Sequence, residues 1–328
     1  MSHEAHSAAE VDVIILSWNR VDDTIAAIAS AAEQQGVAKR ILVVDQGSEP
    51  ENLLKLEAYL RSAPGVDLKK LGYNSGVAGG RNIAAGLGRA PYIVALDSDA
   101  VFADAHMLAR AVAHMNKNAH LCAIGFCIRN YFTGKNDEKA WDYPQNCSPD
   151  QSFATTRFMG GGHAIRRSTF EAVGAYDARL FFCGEEVDLC YRMLNTGMRI
   201  EYVPAITILH KVSPAHRVYW AKGRFFYTVR NSLYTLYKLR IPRGRRLIAA
   251  GAFLLRGTSN GMPWVAARGI AASLSMCNAW RRSGGRAASE PLNSATWKYI
   301  YTCEVARRAS VFSKLRRQLS RLPQQVGS

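Results

Sequence analysis

The stretch of sequence that decides the fold is Pro91-Tyr-Ile-Val-Ala-Leu-Asp-Ser-Asp-Ala100. An apolar run of strand length comes first, and two aspartates follow with one residue between them. Side chains two residues apart in an extended segment share a face. We therefore expect Asp97 and Asp99 to project together from the end of a buried strand. Two carboxylates there imply a partner, and hard oxygen ligands of this kind bind Mg2+ or Mn2+ while leaving coordination positions for a diphosphate.

Apolar runs of strand length alternate with amphipathic stretches of helix length on both sides of this segment. Such alternation is typical of a wound α/β sheet. It predicts strands over 11–16, 40–44, 66–71, 91–96 and 199–209, and helices over 25–34, 51–61, 81–87 and 185–194. Ligands bind at the carboxyl ends of the strands in open parallel sheets. The position after a fourth buried strand therefore favours a ligand site over the simpler alternative, an Asx turn that ends the strand.

A second acidic group, Gly184-Glu-Glu-Val-Asp-Leu189, opens the helix predicted over 185–194, and His210 follows an apolar run further on. Carboxylates at a helix start are favoured by the helix dipole, so a structural role is available to them. Three acids within four residues nevertheless repel one another, which would raise a pKa towards that of a working base. A lone histidine is more often a core residue, but the nearby metal-binding carboxylates favour a ligand role for His210.

Polar residues also follow the first two predicted strands, at the same edge of the sheet. Ser17, Asn19 and Arg20 end the first strand, and Asp45 ends the second. A carboxylate at this edge can accept the imide N–H of uracil or thymine, whereas the structural alternative for Asp45 is a helix N-cap. The glycine-rich turn over 74–80, with Arg81 after it, would allow a close backbone approach to phosphate, although such turns are common.

The charge of the chain is concentrated in its last third. The net charge is +16, yet residues 211–328 carry 22 of the 42 Lys and Arg and only 2 of the 26 Asp and Glu. A region this basic is attracted to nucleic acid, to an anionic bilayer or to a pyrophosphate-bearing substrate. The apolar blocks 247–255 and 270–276 suit a membrane-facing or packed helical region, which disfavours nucleic acid. No stretch reaches the roughly 20 clean apolar residues of a spanning helix.

Cysteine usage and the first residues bear on the compartment. The seven cysteines form no CxxC pair and are odd in number, so neither a disulfide framework nor a zinc ribbon is indicated. Residues 1–10 are polar and lack the basic and apolar regions of a signal peptide. We therefore expect a disordered segment over 1–10 and a protein of the reducing cytoplasm.

The motifs together resemble the family 2 glycosyltransferases with the GT-A fold, and among them the bacterial rhamnosyltransferase and galactofuranosyltransferase type. The segments that carry the resemblance span residues 11 to 210 in family order. They are Ser17-Trp-Asn-Arg20, Val43-Val-Asp-Gln-Gly-Ser48, Asn74-Ser-Gly-Val-Ala-Gly-Gly-Arg-Asn82, Leu96-Asp-Ser-Asp99, Gly160-Gly-Gly162, Phe182-Cys-Gly-Glu-Glu-Val-Asp-Leu-Cys-Tyr-Arg192, Pro204 and His210. Beyond residue 210 the likeness is looser and is limited to Arg230-Asn231, aromatic residues and Lys238.

This resemblance implies transfer of a sugar from a nucleotide-sugar, UDP- or dTDP-linked, with inversion at the anomeric carbon. It assigns Asp99 and His210 to a divalent cation, Mg2+ or Mn2+, and Glu186 to the general base, with Asp188 as a residue that could share that task. The family usually has Asp at the base position, so Glu186 is a departure. The nucleotide site would comprise Ser17, Asn19, Arg20, Asp45, Asn74, Gly76, Arg81 and Asp97, with Asp45 and Arg81 at the base and Asp97 at the ribose. The acceptor site would comprise Gly161, Gly162, Glu185 and Arg192.

The expected architecture is a GT-A catalytic domain over 11–212, built on a wound mixed sheet, followed by a basic, mainly helical region over 213–328. That region would hold the enzyme on the inner face of an anionic membrane, with Trp220, Phe225 and Tyr234 at the headgroups, facing a saccharide acceptor that is lipid-linked. A homo-oligomer is compatible with the sequence. Two alternatives remain: a nucleotidyltransferase, although no glycine-rich basic loop follows strand one, and a nucleic-acid-binding protein that uses the basic tail.

Overall fold

The computed structural model describes residues 10–138, 141–144, 146–211, 221–285 and 290–305. In these residues, nine strands form one mixed sheet in the order β3-β2-β1-β4-β8-β6-β9-β5, and β7 pairs with β9. The strands are β1 (Val11–Ser17), β2 (Lys39–Asp45), β3 (Val66–Lys70), β4 (Tyr92–Leu96), β5 (Ala100–Phe102), β6 (Leu121–Asn130), β7 (Phe153–Thr155), β8 (Gly162–Arg166) and β9 (Arg199–His210). The expected strand bounds are confirmed to within one residue.

The direction of pairing changes beside β4. Strands β1, β2, β3 and β4 are parallel, and β1 is buried along almost its whole length because helices cover both faces of the sheet. Beyond β4 the pairing becomes antiparallel, with Leu96 opposite Gly162 of β8. At the far side of the sheet β5 runs antiparallel to β9, with Ala100 opposite His210. This register brings the end of β9 back to the residues that follow β4.

Ten helices surround or follow the sheet in the described part of the chain. They are α1 (Val21–Ala32), α2 (Pro50–Leu60), α3 (Gly76–Leu87), α4 (Met107–Lys117), α5 (Arg167–Ala172), α6 (Glu185–Leu194), α7 (Ala221–Lys238), α8 (Arg243–Ser259), α9 (Pro263–Arg282) and α10 (Ser294–Ile300). None of them is both long enough and apolar enough to cross a membrane. The expected segment over 1–10 lies almost entirely outside the described residues, since only Glu10 is described.

The glycine-rich segment differs from the expectation of a turn before the helix. Helix α3 already begins at Gly76. Gly76 has φ +74°, and a Cβ there would lie 2.4 Å from the carbonyl oxygen of Phe181, so only glycine fits this close approach. The same carbonyl accepts the N–H groups of Val77 and Ala78, while the Gly76 N–H donates to Asn74. These amides are therefore paired within the protein, and the close backbone approach to phosphate stays a prediction.

The basic C-terminal region is helical, as expected, and packs into a core of its own. Phe225, Val229 and Leu233 of α7 face Met262 and Ala266. Phe225 is almost fully buried, and so is Tyr234. The prediction that these two aromatic side chains lie at lipid headgroups is therefore wrong, because the helices need them for their own packing. Trp220, the third proposed anchor, lies outside the described residues.

Candidate active site

Two carboxylates and one imidazole meet where β4 ends. The donor atoms of Asp97, Asp99 and His210 all lie within 4.8 Å of one another. The β5–β9 pairing explains this, because Ala100 lies opposite His210 and the Lys211 N–H donates to the Asp99 carbonyl. The Asp97 side chain is 42% exposed and so remains accessible from solvent. Hard oxygen ligands with one imidazole suit a divalent cation such as Mg2+ or Mn2+, so the residues fit the ion expected from the sequence.

A third carboxylate orients the histidine. Asp137 lies 3.2 Å from His210 Nδ1, while His210 Nε2 lies 3.2 Å from Asp99. Burial would lower the pKa of His210, but the hydrogen bonds to Asp137 and Asp99 raise it to about 9. Metal-binding histidines usually have such a partner on their second nitrogen. Sequence reasoning missed Asp137, because it lies in a polar loop with no motif around it.

Asp99 is held in its ionised form by two cations. Arg20 Nη1 lies 2.6 Å from Asp99 Oδ2, and the Arg20 Nη2 group also contacts Asp23. Burial would raise the pKa of Asp99, but His210 and Arg20 lower it to about 2. The structure thus brings Arg20 to Asp99 of the carboxylate cluster, and its contact with a nucleotide stays a prediction.

Arg81 lies beneath the cluster and joins it to the second acidic group. One guanidinium nitrogen lies 3.1 Å from Asp97 and 2.7 Å from the Gly160 carbonyl oxygen, and the other lies 3.1 Å from Glu186. Burial opposes its charge, but Tyr176 and the surrounding carboxylates raise the pKa of Arg81 above its ordinary value. The side chain is almost fully buried. Its donors are paired within the protein, and a contact between Arg81 and the nucleobase stays a prediction.

Of the acids at the start of α6, only Glu186 is partly open beside Arg81. Glu185 is 2% exposed, and its Oε2 atom has no hydrogen-bond partner among the described residues. Burial and the neighbouring Glu186 raise the pKa of Glu185 well above its usual range. Such burial removes it from the predicted acceptor site.

Asp188 lies on the opposite side of α6 and serves the packing. Its side chain is 0% exposed and lies 2.7 Å from Arg192 and 3.0 Å from Lys238. Arg192 also donates to the carbonyl oxygens of Val173 and Ala175. The prediction that Asp188 shares the work of the base is wrong for this geometry, and so is the placement of Arg192 at the acceptor. Both side chains form the ion pairs and hydrogen bonds that join α6 to its neighbours.

Helix α7 holds the loop that precedes the acidic group. Phe181, Cys183 and Gly184 in this loop all have positive φ, which is costly for the two non-glycine residues. The fully buried Asn231 side-chain amide donates to the carbonyl oxygens of Leu180, Phe182 and Cys183, at 2.8, 2.8 and 2.6 Å. The strained loop is therefore fixed by a residue of the C-terminal region.

The remaining residues expected at the nucleotide lie at the same sheet edge but are largely engaged. Asp45 accepts the N–H groups of Gly47 and Ser48 in the turn before α2, and the N-cap of that helix is Glu49 rather than Asp45. Asn19 has φ +57° and accepts the Glu49 N–H. Ser17 is buried against Thr24, and Asn74 caps the start of α3. Their contacts with a nucleotide stay predictions.

Three glycines, Gly160 to Gly162, lie beside the site, and only the first two of them face it. A Cβ on Gly160 would lie 2.4 Å from Glu186 Oε1, and one on Gly161 would lie 3.7 Å from Asp97. A Cβ on Gly162 would instead meet Ile208 inside the sheet. Gly160 and Gly161 therefore leave space beside the two acids, whereas Gly162 is required for sheet packing and its placement at the acceptor is wrong.

Solved structures with the same architecture are glycosyltransferases. Mannosyltransferase PcManGT from Pyrobaculum calidifontis, solved with GDP-Man and Mn2+, has a TM-score of 0.56 and 18% identity over 92% of this chain and 86% of its own. GalNAc-T7, solved with UDP, GalNAc and Mn2+, has a TM-score of 0.65 and 16% identity over 98% of this chain and 60% of its own. This likeness shows the fold, which is the GT-A fold with a helical C-terminal region.

Sequence comparison gives the family. The model for glycosyl transferase family 2 matches residues 12–175, and the chain belongs to that family. The dTDP-rhamnosyl transferase RfbF of Shigella flexneri is 23% identical over 256 residues, which cover 71% of this chain and 82% of RfbF. Rhamnosyltransferase WbbL of Escherichia coli is 31% identical over 81 residues, 25% of this chain and 30% of WbbL. The protein is therefore a glycosyltransferase.

Proposed function

We propose that this glycosyltransferase is an inverting, metal-dependent enzyme that moves a sugar from a nucleotide-sugar to a hydroxyl group of a saccharide. One observation carries the proposal: a single guanidinium, Arg81, lies 3.1 Å from Asp97 and 3.1 Å from Glu186. Arg81 thus links the Asp97, Asp99 and His210 cluster, which suits a cation, to the Glu186 carboxylate, which suits a base. That arrangement supports one centre that holds both donor and acceptor.

The donor half of the centre would be held by Asp99 and His210, with Asp97 close enough to contact either the ion or the ribose. A divalent cation bound there would neutralise the charge that develops on the leaving diphosphate. The Mn2+ in the PcManGT and GalNAc-T7 complexes supports this cofactor type, and Mg2+ is an equally suitable ion for the same ligands. Arg20 and Arg81 add positive charge on either side of the carboxylates.

The acceptor half depends on Glu186. Its carboxylate removes the proton from the acceptor hydroxyl, and the resulting oxygen attacks the anomeric carbon from the face opposite the leaving group. The bond from that carbon to the diphosphate oxygen breaks in the same displacement, so the configuration inverts. Arg81 donates a hydrogen bond to Glu186 and so orients its carboxylate.

Donor and acceptor follow from chemistry and from the relatives' names. The name of RfbF supports a dTDP-sugar donor, and the name of WbbL supports a rhamnosyl group. The UDP in the GalNAc-T7 complex supports a UDP-sugar as the alternative donor. The succinoglycan biosynthesis protein ExoO of Rhizobium meliloti, 34% identical over 90 residues, supports polysaccharide synthesis. We place the protein at the cytoplasmic face of an anionic membrane, acting on a lipid-linked saccharide, on the basis of the basic region.

The test is release of nucleoside diphosphate from a panel of nucleotide-sugars, with Mn2+, with Mg2+ and with EDTA. We expect one nucleotide-sugar to react in the presence of metal, and Asp99→Asn to abolish that reaction. Asp104→Asn is the matched control, because Asp104 forms an exposed ion pair with Arg110 away from the cluster. Full turnover in EDTA would contradict the metal dependence, and equal loss in both variants would contradict the placement of the site.

A further inference from the structure

An apolar stripe without a partner in the described residues runs along helix α8. Leu247 is 66% exposed and Ile248 74%, and Leu254 and Leu255, both about two turns further on, are also exposed. Gly251 lies between them on the same face. Residues spaced three, four and seven apart share one face of a helix. The other face of α8 packs through Ala249, Ala250 and Phe253 against the core between α7 and α9, so the exposed side chains are not required for folding.

The surroundings of this stripe are uniformly positive. Residues 221–285, which form α7, α8 and α9, contain twelve Lys and Arg and no Asp or Glu. Arg243 and Arg245 are exposed at the start of α8, directly before the stripe. Trp264, at the start of α9, is 80% exposed. Exposed apolar side chains next to cations, with no anion, are typical of helices that lie in the interface of an anionic bilayer.

We infer that the outer face of α8, formed by Leu247, Ile248, Leu254 and Leu255, lies in the surface of an anionic membrane. The cations beside it contact lipid headgroups, and the apolar side chains enter the boundary of the acyl chains. No described helix can span a bilayer, so the contact lies along the surface. This inference rests on the proposed membrane association. It assigns the apolar part of the contact to the outer face of α8, whereas Phe225 and Tyr234 are buried.

Two other occupants fit the face less well. A second copy of the chain in a symmetric contact would bring two acid-free, strongly basic regions together, which costs electrostatic energy. Nucleic acid would satisfy the cations, but phosphates offer nothing to four aliphatic side chains. An anionic bilayer satisfies both features at once.

The experiment measures flotation of the full-length protein with vesicles of phosphatidylcholine alone and of phosphatidylcholine with phosphatidylglycerol, at low and high salt. We expect binding to the anionic vesicles, with a fraction that high salt does not release. Leu247→Glu should weaken this binding at least tenfold, and Leu247→Gln should remove the salt-resistant fraction. The matched control is Leu54→Glu, because Leu54 of α2 is 65% exposed outside this region, and it should bind as the wild type does.

Three results would contradict the inference about α8. Absence of binding to anionic vesicles, or equal binding by Leu247→Glu and the wild type, would overturn it. A dimer in light scattering that Leu247→Glu dissolves, without vesicle binding, would assign the face to a second copy. Nucleoside diphosphate release without vesicles is measured on the same samples. Absence of vesicle binding by the wild type with this activity intact would reject the α8 surface alone, whereas vesicle binding by the wild type without activity on any nucleotide-sugar would reject the proposed chemistry alone.

Discussion

Removal of the Lys238 ammonium should destabilise the whole protein. Lys238 of α7 lies 2.9 Å from Asp177 and 3.0 Å from Asp188, and the three side chains are 9%, 4% and 0% exposed. Loss of one partner from a buried ion pair typically costs about 3–5 kcal/mol, because it leaves an uncompensated charge. In Lys238→Met, Asp188 keeps Arg192 and Asp177 keeps Arg179. The expected loss therefore lies at the lower end, about 3 kcal/mol.

Thermal unfolding followed by circular dichroism at pH 7 measures this loss. At about 2–4 °C for each kcal/mol, the midpoint of Lys238→Met should fall by roughly 6–12 °C. The matched control is Lys55→Met, because Lys55 is an exposed lysine paired with exposed Asp22 at 2.6 Å, and such pairs contribute little. Its midpoint should stay that of the wild type.

A second substitution separates charge from packing. Lys238→Met combined with Asp188→Asn should recover part of the lost stability, because one of the two buried negative charges is removed with its partner. A Lys238→Met midpoint within roughly 2 °C of the wild type would refute the reasoning. So would a double variant less stable than the sum of the two single changes.

Four further outcomes are expected. Glu186→Gln should lower turnover by about 100-fold or more while donor affinity and the unfolding midpoint stay unchanged; an equal loss of donor binding would contradict its role as a base. Asp99→Asn should lose metal-dependent binding of nucleoside diphosphate, measured by calorimetry. Asn231→Asp should lower both stability and turnover, because it directs an oxygen at three carbonyl oxygens. In metal-free protein, the pKa of His210 is raised to about 9, so the charged imidazole stabilises the fold. This stabilisation is complete below about pH 6.5 and is lost as the pH rises through about 9. In His210→Gln, the unfolding midpoint should therefore vary less with pH over that range.

Much of the sheet could be predicted because strands here are apolar runs bounded by polar residues. The carboxylates at the end of β4 were predictable for the same reason: period-two geometry places Asp97 and Asp99 on one face without knowledge of any partner. His210 joined them through the antiparallel β5–β9 pairing. That pairing is a long-range contact, and the placement of His210 beside the carboxylates came from the family resemblance rather than from local pattern.

The environment of each charged residue was not predictable in the same way. Glu185, Glu186 and Asp188 are neighbours in sequence, yet a helix turns successive residues by about 100°, so one is buried, one faces the cleft and one faces α7. Arg81 belonged to a motif, but its burial depends on how Gly160 and Tyr176 pack around it. Local sequence specifies residue type and periodicity, whereas burial and pairing depend on segments a hundred residues away.

The contact between Asn231 and the loop before Glu185 has a consequence for exchanging parts among related enzymes. The charge of the chain changes near residue 210, which makes that point an attractive junction for chimeras with a different acceptor-facing tail. A junction there would discard Asn231 and Lys238, and with them the groups that shape the Leu180–Gly184 loop and neutralise Asp188. A chimera should therefore keep α7 with the sheet and begin the exchanged C-terminal segment no earlier than α8. Natural recombination between family members should respect the same limit, so that α7 is inherited together with the sheet.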